Sequence, residues 1–194
     1  HNVPIMRPPE SEQLDYEGEI AIVIGEAGRR IPRETAESHI AALTCLNEGT
    51  IRDWLRHGKH NVTQGKNFDR SGSIGPWMVT ADEFTGYGDM AIETRVNGDV
   101  RQTDTTASLI FDFAYLVSYV STIMTLKRGD IISTGTPIGA GARRGAVGPE
   151  PGSKVEEHVR GRLIGAIERK DLHRDLLAHE RLLAVGLHMQ PLPL

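Results

Sequence analysis

Two glutamates separated by one residue, Glu17 and Glu19, stand in Leu14-Asp15-Tyr16-Glu17-Gly18-Glu19-Ile20, just ahead of the apolar run Ile20-Ala21-Ile22-Val23-Ile24. A continuous apolar run of this length reads as a strand buried on both faces. Side chains two apart on a strand point to one face. The two carboxylates are therefore presented side by side at the edge of a core, where like charges repel and loss of water is costly. A hard divalent cation between them resolves both costs. The plain alternative is two solvated acids at an exposed strand end, since Glu-x-Glu is a common spacing.

The elements that must position these acids read as an α+β chain, mostly β. Strands are expected at 19–25, 76–80, 90–96, 130–134 and 154–160. Ile40-Ala41-Ala42-Leu43-Thr44-Cys45-Leu46 fits a strand or a helix end. Asn97-Gly98, between Glu93-Thr94-Arg95-Val96 and Asp99-Val100-Arg101, predicts a two-residue hairpin. Short helices are expected at 34–41 and 50–57, and the longest at 106–123, with Leu109, Phe113, Leu116, Val120 and Ile123 near one stripe. Leu172, Leu176, Leu177, Leu182 and Leu183 predict a further helix from about 171 to 185.

The chain has 194 residues, which suits one domain, and a net charge of −4, which points to neither a nucleic-acid nor a membrane partner. The apolar runs are too short to span a bilayer and no signal-peptide pattern is present. A single cysteine, Cys45, forms no internal disulfide and suits a reducing, cytoplasmic setting.

Three further blocks follow the acidic pair in order. They are Asn47-Glu48-Gly49-Thr50-Ile51-Arg52-Asp53, then Gln64-Gly65-Lys66-Asn67-Phe68-Asp69 leading to Ile74-Gly75-Pro76-Trp77-Met78-Val79, and finally Gly129-Asp130-Ile131-Ile132-Ser133-Thr134-Gly135-Thr136-Pro137. With these blocks, and with Arg95-Val96-Asn97-Gly98 and Gln102-x-x-Thr105 between them, the chain resembles the fumarylacetoacetate hydrolase family. Residues 12–137 match the pattern of that family's catalytic domain almost continuously. The resemblance implies a mixed β-sandwich-like roll with a few peripheral helices, one catalytic domain over 1–194 with 168–194 as an atypical C-terminal extension, and a homodimer.

By the same resemblance Glu17, Glu19 and Glu48 fall on the three metal-ligand positions. The third is most often aspartate in the family, and glutamate keeps the charge while reaching one methylene further. Three carboxylates select Mg2+ or Mn2+, with Ca2+ also compatible, over Zn2+, whose sites usually include His or Cys. Lys66 matches a substrate-contacting lysine, and its charge would polarise a substrate carbonyl or enolate. Thr136 matches the threonine that holds a substrate carboxylate, and Gly135 lets a backbone amide come close to an anion. Arg52 and Asp53 read as residues that orient Glu48 and balance charge. A surface lysine and an ordinary Thr-Gly-Thr-Pro turn are the plain readings of the same residues.

Two departures bear on chemistry. Leu55 stands where the family commonly has glutamine, so a polar substrate contact is replaced there. The family's lid, with a His/Glu pair proposed to activate water, lies by the resemblance upstream of residue 1; His1 is too near the strand leading to Glu17 to be its histidine. His57 and His60 are weak substitutes, more simply read as solvated loop residues. The expected reaction is metal-dependent hydrolysis of a C–C bond in a 2,4-dioxo acid, an acylpyruvate or fumarylacetoacetate-like compound, through a metal-stabilised enolate. The alternatives are an isomerase, tautomerase or decarboxylase of a 2-oxo or hydroxymuconate-derived acid, or, in another class, a catalytically silent metal-binding or dimer domain.

Overall fold

The computed structural model describes residues 1, 3–57, 62–141, 152–162 and 180–191, with the backbone alone for 157–162 and 180–191. The strands in chain order are β1 (Ile5–Arg7), β2 (Leu14–Asp15), β3 (Gly18–Ile24), β4 (Ile40–Asn47), β5 (Thr50–Ile51), β6 (Ser73–Ile74), β7 (Val79–Thr80), β8 (Ala91–Val96), β9 (Asp99–Thr105), β10 (Ile131–Ser133), β11 (Lys154–Arg162) and β12 (Glu180–Pro191). Every residue of β3 is buried, as its unbroken apolar run requires. It lies between β10 and β4, both antiparallel to it, in a sheet ordered β10-β3-β4-β6, with β7 also paired to β4. The second sheet runs β1-β12-β11-β8-β9, and a two-stranded ribbon joins β2 to β5.

The two larger sheets face each other, β3 against β8 and β4 against β11 and β12. Ile20, Ile22, Ile24, Leu43, Cys45, Ile92, Val96 and Val155 fill the space between, and Cys45 is a buried free thiol. The mostly β sandwich with peripheral helices is thus the observed architecture. Asn97 and Gly98 both take positive φ, 54° and 87°, which closes the β8–β9 hairpin with Val96 opposite Asp99.

Helix α1 (Phe113–Ile123) is shorter than its sequence stripe. Asp112 sets its start: the residue is extended, and its carboxylate accepts the Tyr115 amide at 2.7 Å. Phe113 and Val117 face the core, with Leu116 and Val120 packed beside them, while Ile123 is exposed. Residues 106–108 form a separate 3-10 turn.

Four expectations change. Residues 34–41 are not an α-helix but a 3-10 segment, Arg33–His39, that hands over to β4 at Ile40. The Thr35 hydroxyl bonds the Pro32 carbonyl, and the Ser38 hydroxyl that of Thr35, in the i→i−3 pattern that competes with an α-helix. The 50–57 helix is instead β5 followed by the 3-10 turn Trp54–Arg56, because Thr50 and Ile51 pair with β2. The 76–80 strand shrinks to β7, following a cis Gly75–Pro76 bond. The 171–185 helix is replaced over 180–185 by β12, which fits between β1 and β11, while 171–179 lie outside the described residues. A short apolar run such as 182–187 suits either period, and sheet pairing decides. Among the described residues no helix is long and apolar enough to cross a membrane.

Gly49 shows how tightly the turn between β4 and β5 is set. A Cβ there would lie 1.7 Å from the Ser71 carbonyl oxygen. Gly49→Ala must therefore displace backbone beside Glu48, and should lower stability by about 1–3 kcal/mol in denaturant unfolding, the scale of an overpacked core site. An unchanged unfolding midpoint would show that the turn yields freely.

Candidate metal and substrate site

Glu17 precedes β3, Glu19 lies on it, and Glu48 follows β4, its antiparallel neighbour. The turn is stitched by the backbone, with the Glu48 amide donating to the Glu17 carbonyl at 2.9 Å and the Glu17 amide donating to Asn47 Oδ1 at 3.0 Å. One carboxylate oxygen from each of Glu17, Glu19 and Glu48 lies within 4.8 Å of the others. The donor set is oxygen alone and carries three negative charges if fully ionised, which fits a hard divalent ion better than a soft or imidazole-seeking one.

Lys66 joins two of these acids. It ends the 3-10 turn Thr63–Lys66, and Nζ donates to Glu17 Oε2, to Glu48 Oε2 at 2.7 Å and to Thr50 Oγ1 at 3.0 Å. Burial works against its charge, but Glu17 and Glu48 outweigh that and hold its pKa above the ordinary lysine value. Leu55 helps to place it, since a Cβ on Gly65 would come within 2.4 Å of the Leu55 side chain. Leu55 is thus packed beneath the Lys66 turn.

Glu19 is clasped from the other side. Its Oε2 accepts the Ser133 hydroxyl and, at 2.9 Å, the Gly135 amide. Gly135 has φ +97°, a conformation glycine takes readily, so the close amide approach expected of it is made to Glu19. Thr136 is tied into the fold as well: its hydroxyl donates to the Gly18 carbonyl at 2.9 Å and accepts from Gln102 Nε2 at 2.8 Å. Thr134, Gly135 and Thr136 line a cavity of about 510 Å³ together with apolar residues that include Ile92, Leu109 and Ile138.

Arg52 and Asp53 part company. Arg52 Nη1 pairs with Glu17 Oε1 at 2.6 Å, and Nε and Nη2 reach Asp15 Oδ2 at 2.8 Å. Asp53 accepts the Ser11 hydroxyl at 2.6 Å and the Trp54 amide at 3.1 Å, so it caps the turn that follows. Glu48 is held by Lys66 and not by these two. His57 is exposed, its ring 4.3 Å from that of Trp54, and His60 lies outside the described residues. Sequence reasoning missed Asp15 and Ser133. Asp15 offered one signal, an acid two residues before Glu17 on the same alternating pattern.

The family model described as Fumarylacetoacetate (FAA) hydrolase C-terminal matches residues 1–170. A bifunctional isomerase/decarboxylase of 4-hydroxyphenylacetate degradation from Salmonella dublin is 36% identical over 169 residues, which are 86% of this chain and 38% of that protein. A mitochondrial oxaloacetate tautomerase of Bos taurus is 41% identical over 142 residues, 72% of this chain and 45% of that protein. The chain thus spans less than half the length of these two curated relatives. A fumarylpyruvate hydrolase from Pseudomonas aeruginosa, solved in complex with Mn2+ and pyruvate, superposes with a TM-score of 0.72 at 29% identity, over 98% of this chain and 71% of that one.

Glu19 gives the site a pH signature. Burial, opposed by the Ser133 hydrogen bond and reinforced by Glu48, raises its pKa from 4.5 to about 7. The metal-free folded protein therefore binds a proton that the unfolded chain releases at lower pH. Glu19's contribution is most favourable below about pH 4.5 and is lost as the pH rises to about 7. Bound Mn2+ requires the ionised carboxylate and should cancel that loss, so the gap between melting temperatures in Mn2+ and in EDTA should widen across this interval. Parallel melting curves at all pH values would contradict the assignment.

Proposed function

The chain belongs to the fumarylacetoacetate hydrolase family, and on that premise we propose that it supplies the metal-dependent catalytic site for hydrolysis of a C–C bond in a small 2,4-dioxo acid. One observation carries the reading. Three carboxylates converge within 4.8 Å, with the Lys66 ammonium bonded to Glu17 and Glu48 and the Gly135 amide to Glu19. Glu17, Glu19 and Glu48 would hold Mg2+ or Mn2+, and Ca2+ is compatible with the same oxygens. Such an ion would supply Lewis acidity to a bound 2-oxo acid.

The chain's own groups have distinct tasks in this reading. Lys66, whose three protons go to Glu17, Glu48 and Thr50 here, would turn one of them to the oxygen on which enolate charge develops, where a fixed cation stabilises more than it would in water. Thr136, whose hydroxyl proton would have to turn from the Gly18 carbonyl to meet an anion, and the Gly135 backbone bound the space for the substrate carboxylate. The cavity beyond them, lined by Ile92, Leu109 and Ile138, takes the rest of the molecule. In the hydrolysis, water adds to C4, the C3–C4 bond breaks, and its electron pair passes to C3 and the 2-oxo group. Proton return to C3 then gives a 2-oxo acid, and the acyl part leaves as a carboxylic acid. Exposed Ile110, Phe111 and Ile138 around the cavity support a homodimer.

The relatives support a second reading equally well, in which the enzyme is an isomerase, tautomerase or decarboxylase of a 2-oxo or hydroxymuconate-derived acid. A screen of acylpyruvates, oxaloacetate and hydroxymuconate-type acids with Mg2+ or Mn2+ separates the two. Carboxylic acid release from an acylpyruvate supports hydrolysis, and enol–keto exchange without cleavage, or loss of CO2, supports the second. Binding of the ion with no turnover of any of these would leave a silent domain.

Two substitutions test the roles. Glu17→Gln removes one of three charges and should abolish both metal uptake and turnover; full occupancy by elemental analysis would refute the ligand set. Lys66→Met should melt earlier in EDTA, because Glu17 and Glu48 lose their counter-charge. In the metal-loaded protein its turnover should fall by ~100-fold or more, as when one preorganised donor is removed. Unchanged turnover per folded molecule would make Lys66 structural.

A further inference from the structure

Asp15 is 0% exposed, yet it carries a carboxylate whose oxygens are all engaged. Oδ2 accepts from Arg52 Nε and Nη2, both at 2.8 Å, and Oδ1 accepts the amides of Tyr16 at 2.9 Å and Gly141 at 3.0 Å. The same guanidinium reaches Glu17 Oε1 at 2.6 Å. One planar fork therefore spans Asp15 and a metal-ligand carboxylate. A buried ion pair of this kind is weak evidence of net stabilisation, since apolar residues of similar volume often serve as well. Its geometry has a more specific result. Arg52 occupies Oε1 of Glu17 and leaves Oε2 turned toward Glu48 and Lys66.

The other oxygen of Asp15 fixes a second part of the site. A Cβ at Gly141 would lie 2.8 Å from Asp15 Oδ1, so the backbone approaches closely only because residue 141 is glycine. The neighbouring Tyr16 hydroxyl donates to the Gly139 carbonyl at 2.8 Å. The segment 134–141, which carries Gly135 and Thr136, is thus held at one end by Glu19 and at the other by Asp15 and Tyr16.

We propose that Asp15 is a positioning residue of the metal site, acting through Arg52 to fix which oxygen of Glu17 faces the ion and through Gly141 to fix the segment beside it. Without the Asp15 charge, Arg52 is left with Glu17 as its anion, neutralises that ligand more fully and no longer holds its rotation. This rests on the metal-site reading above, and the test measures Mn2+ binding without substrate.

Asp15→Asn keeps the size and one acceptor of the side chain while removing its charge. By calorimetry on folded protein, Mn2+ affinity should fall about 10–100-fold, the scale for groups that orient metal ligands. Arg52→Lys keeps a cation that cannot bridge both acids and should cause a comparable loss. The double variant should lose little more than either alone, because both act through one contact. The electron paramagnetic resonance of bound Mn2+ should change in each. Wild-type affinity in Asp15→Asn, or losses that simply add, would overturn the proposal and leave Asp15 a residue of the fold. Should Asp15→Asn not fold, wild-type affinity in Arg52→Lys overturns it equally. Wild-type protein that takes up no Mn2+ overturns the metal-site reading itself, and this inference with it.

Discussion

Negative charge gathered at the end of a fully buried strand is the constraint to which the surrounding structure answers. Glu17 and Glu19 are 6% and 2% exposed, so water cannot disperse their repulsion, and Glu48 is brought in from the next strand to add a third acid. Each neighbouring feature supplies a compensating positive end. Arg52 takes one oxygen of Glu17, Lys66 takes the other together with Glu48, and the Gly135 amide with the Ser133 hydroxyl takes Glu19. Arg52 and Lys66 both keep pKa values above their ordinary ones despite burial, which is the electrostatic mark of this arrangement.

The groups that answer this charge come from different parts of the chain. The 3-10 turn at 63–66 delivers Lys66, the β2–β5 ribbon brings Asp15 beside Arg52, and β10 carries Ser133 against β3. Hydrogen bonds therefore join segments more than a hundred residues apart in sequence. A site built this way is stiff because the sheet is stiff, and its precision depends on register. A one-residue slip of β4 against β3 would send Glu48 away from the cluster.

Local pattern made much of this legible. The single-residue spacing of Glu17 and Glu19 followed from strand periodicity, the run 20–24 from its continuous apolarity, and the β8–β9 hairpin from Asn97-Gly98. What escaped was non-local. Nothing near Arg52 in sequence says that its partners are Asp15 and Glu17, because only the pairing of β2 with β5 creates the contact. Asp53 was grouped with Arg52 by adjacency, although neighbouring side chains here serve different purposes. The run 182–187 was short enough to satisfy helix and strand patterns alike and sheet pairing chose for it, whereas local hydroxyl–carbonyl bonds turned 34–41 into a 3-10 segment.

The parallel pairing of β1 with β12 sets Ile5 beside Met189 and Arg7 beside Pro191. Contacts of such sequence separation close only after nearly all of the intervening chain has been placed. During synthesis β1 must therefore wait with its edge unpaired while β3, β4 and their ribbon can already assemble. The order of events on the ribosome is thus constrained by the topology, with Glu17, Glu48 and Lys66 able to meet before Ser133 and Gly135 arrive and the outer sheet sealed after both. An exposed strand edge during that interval is an invitation to intermolecular pairing, so the yield of folded protein should depend on how quickly the second sheet is completed.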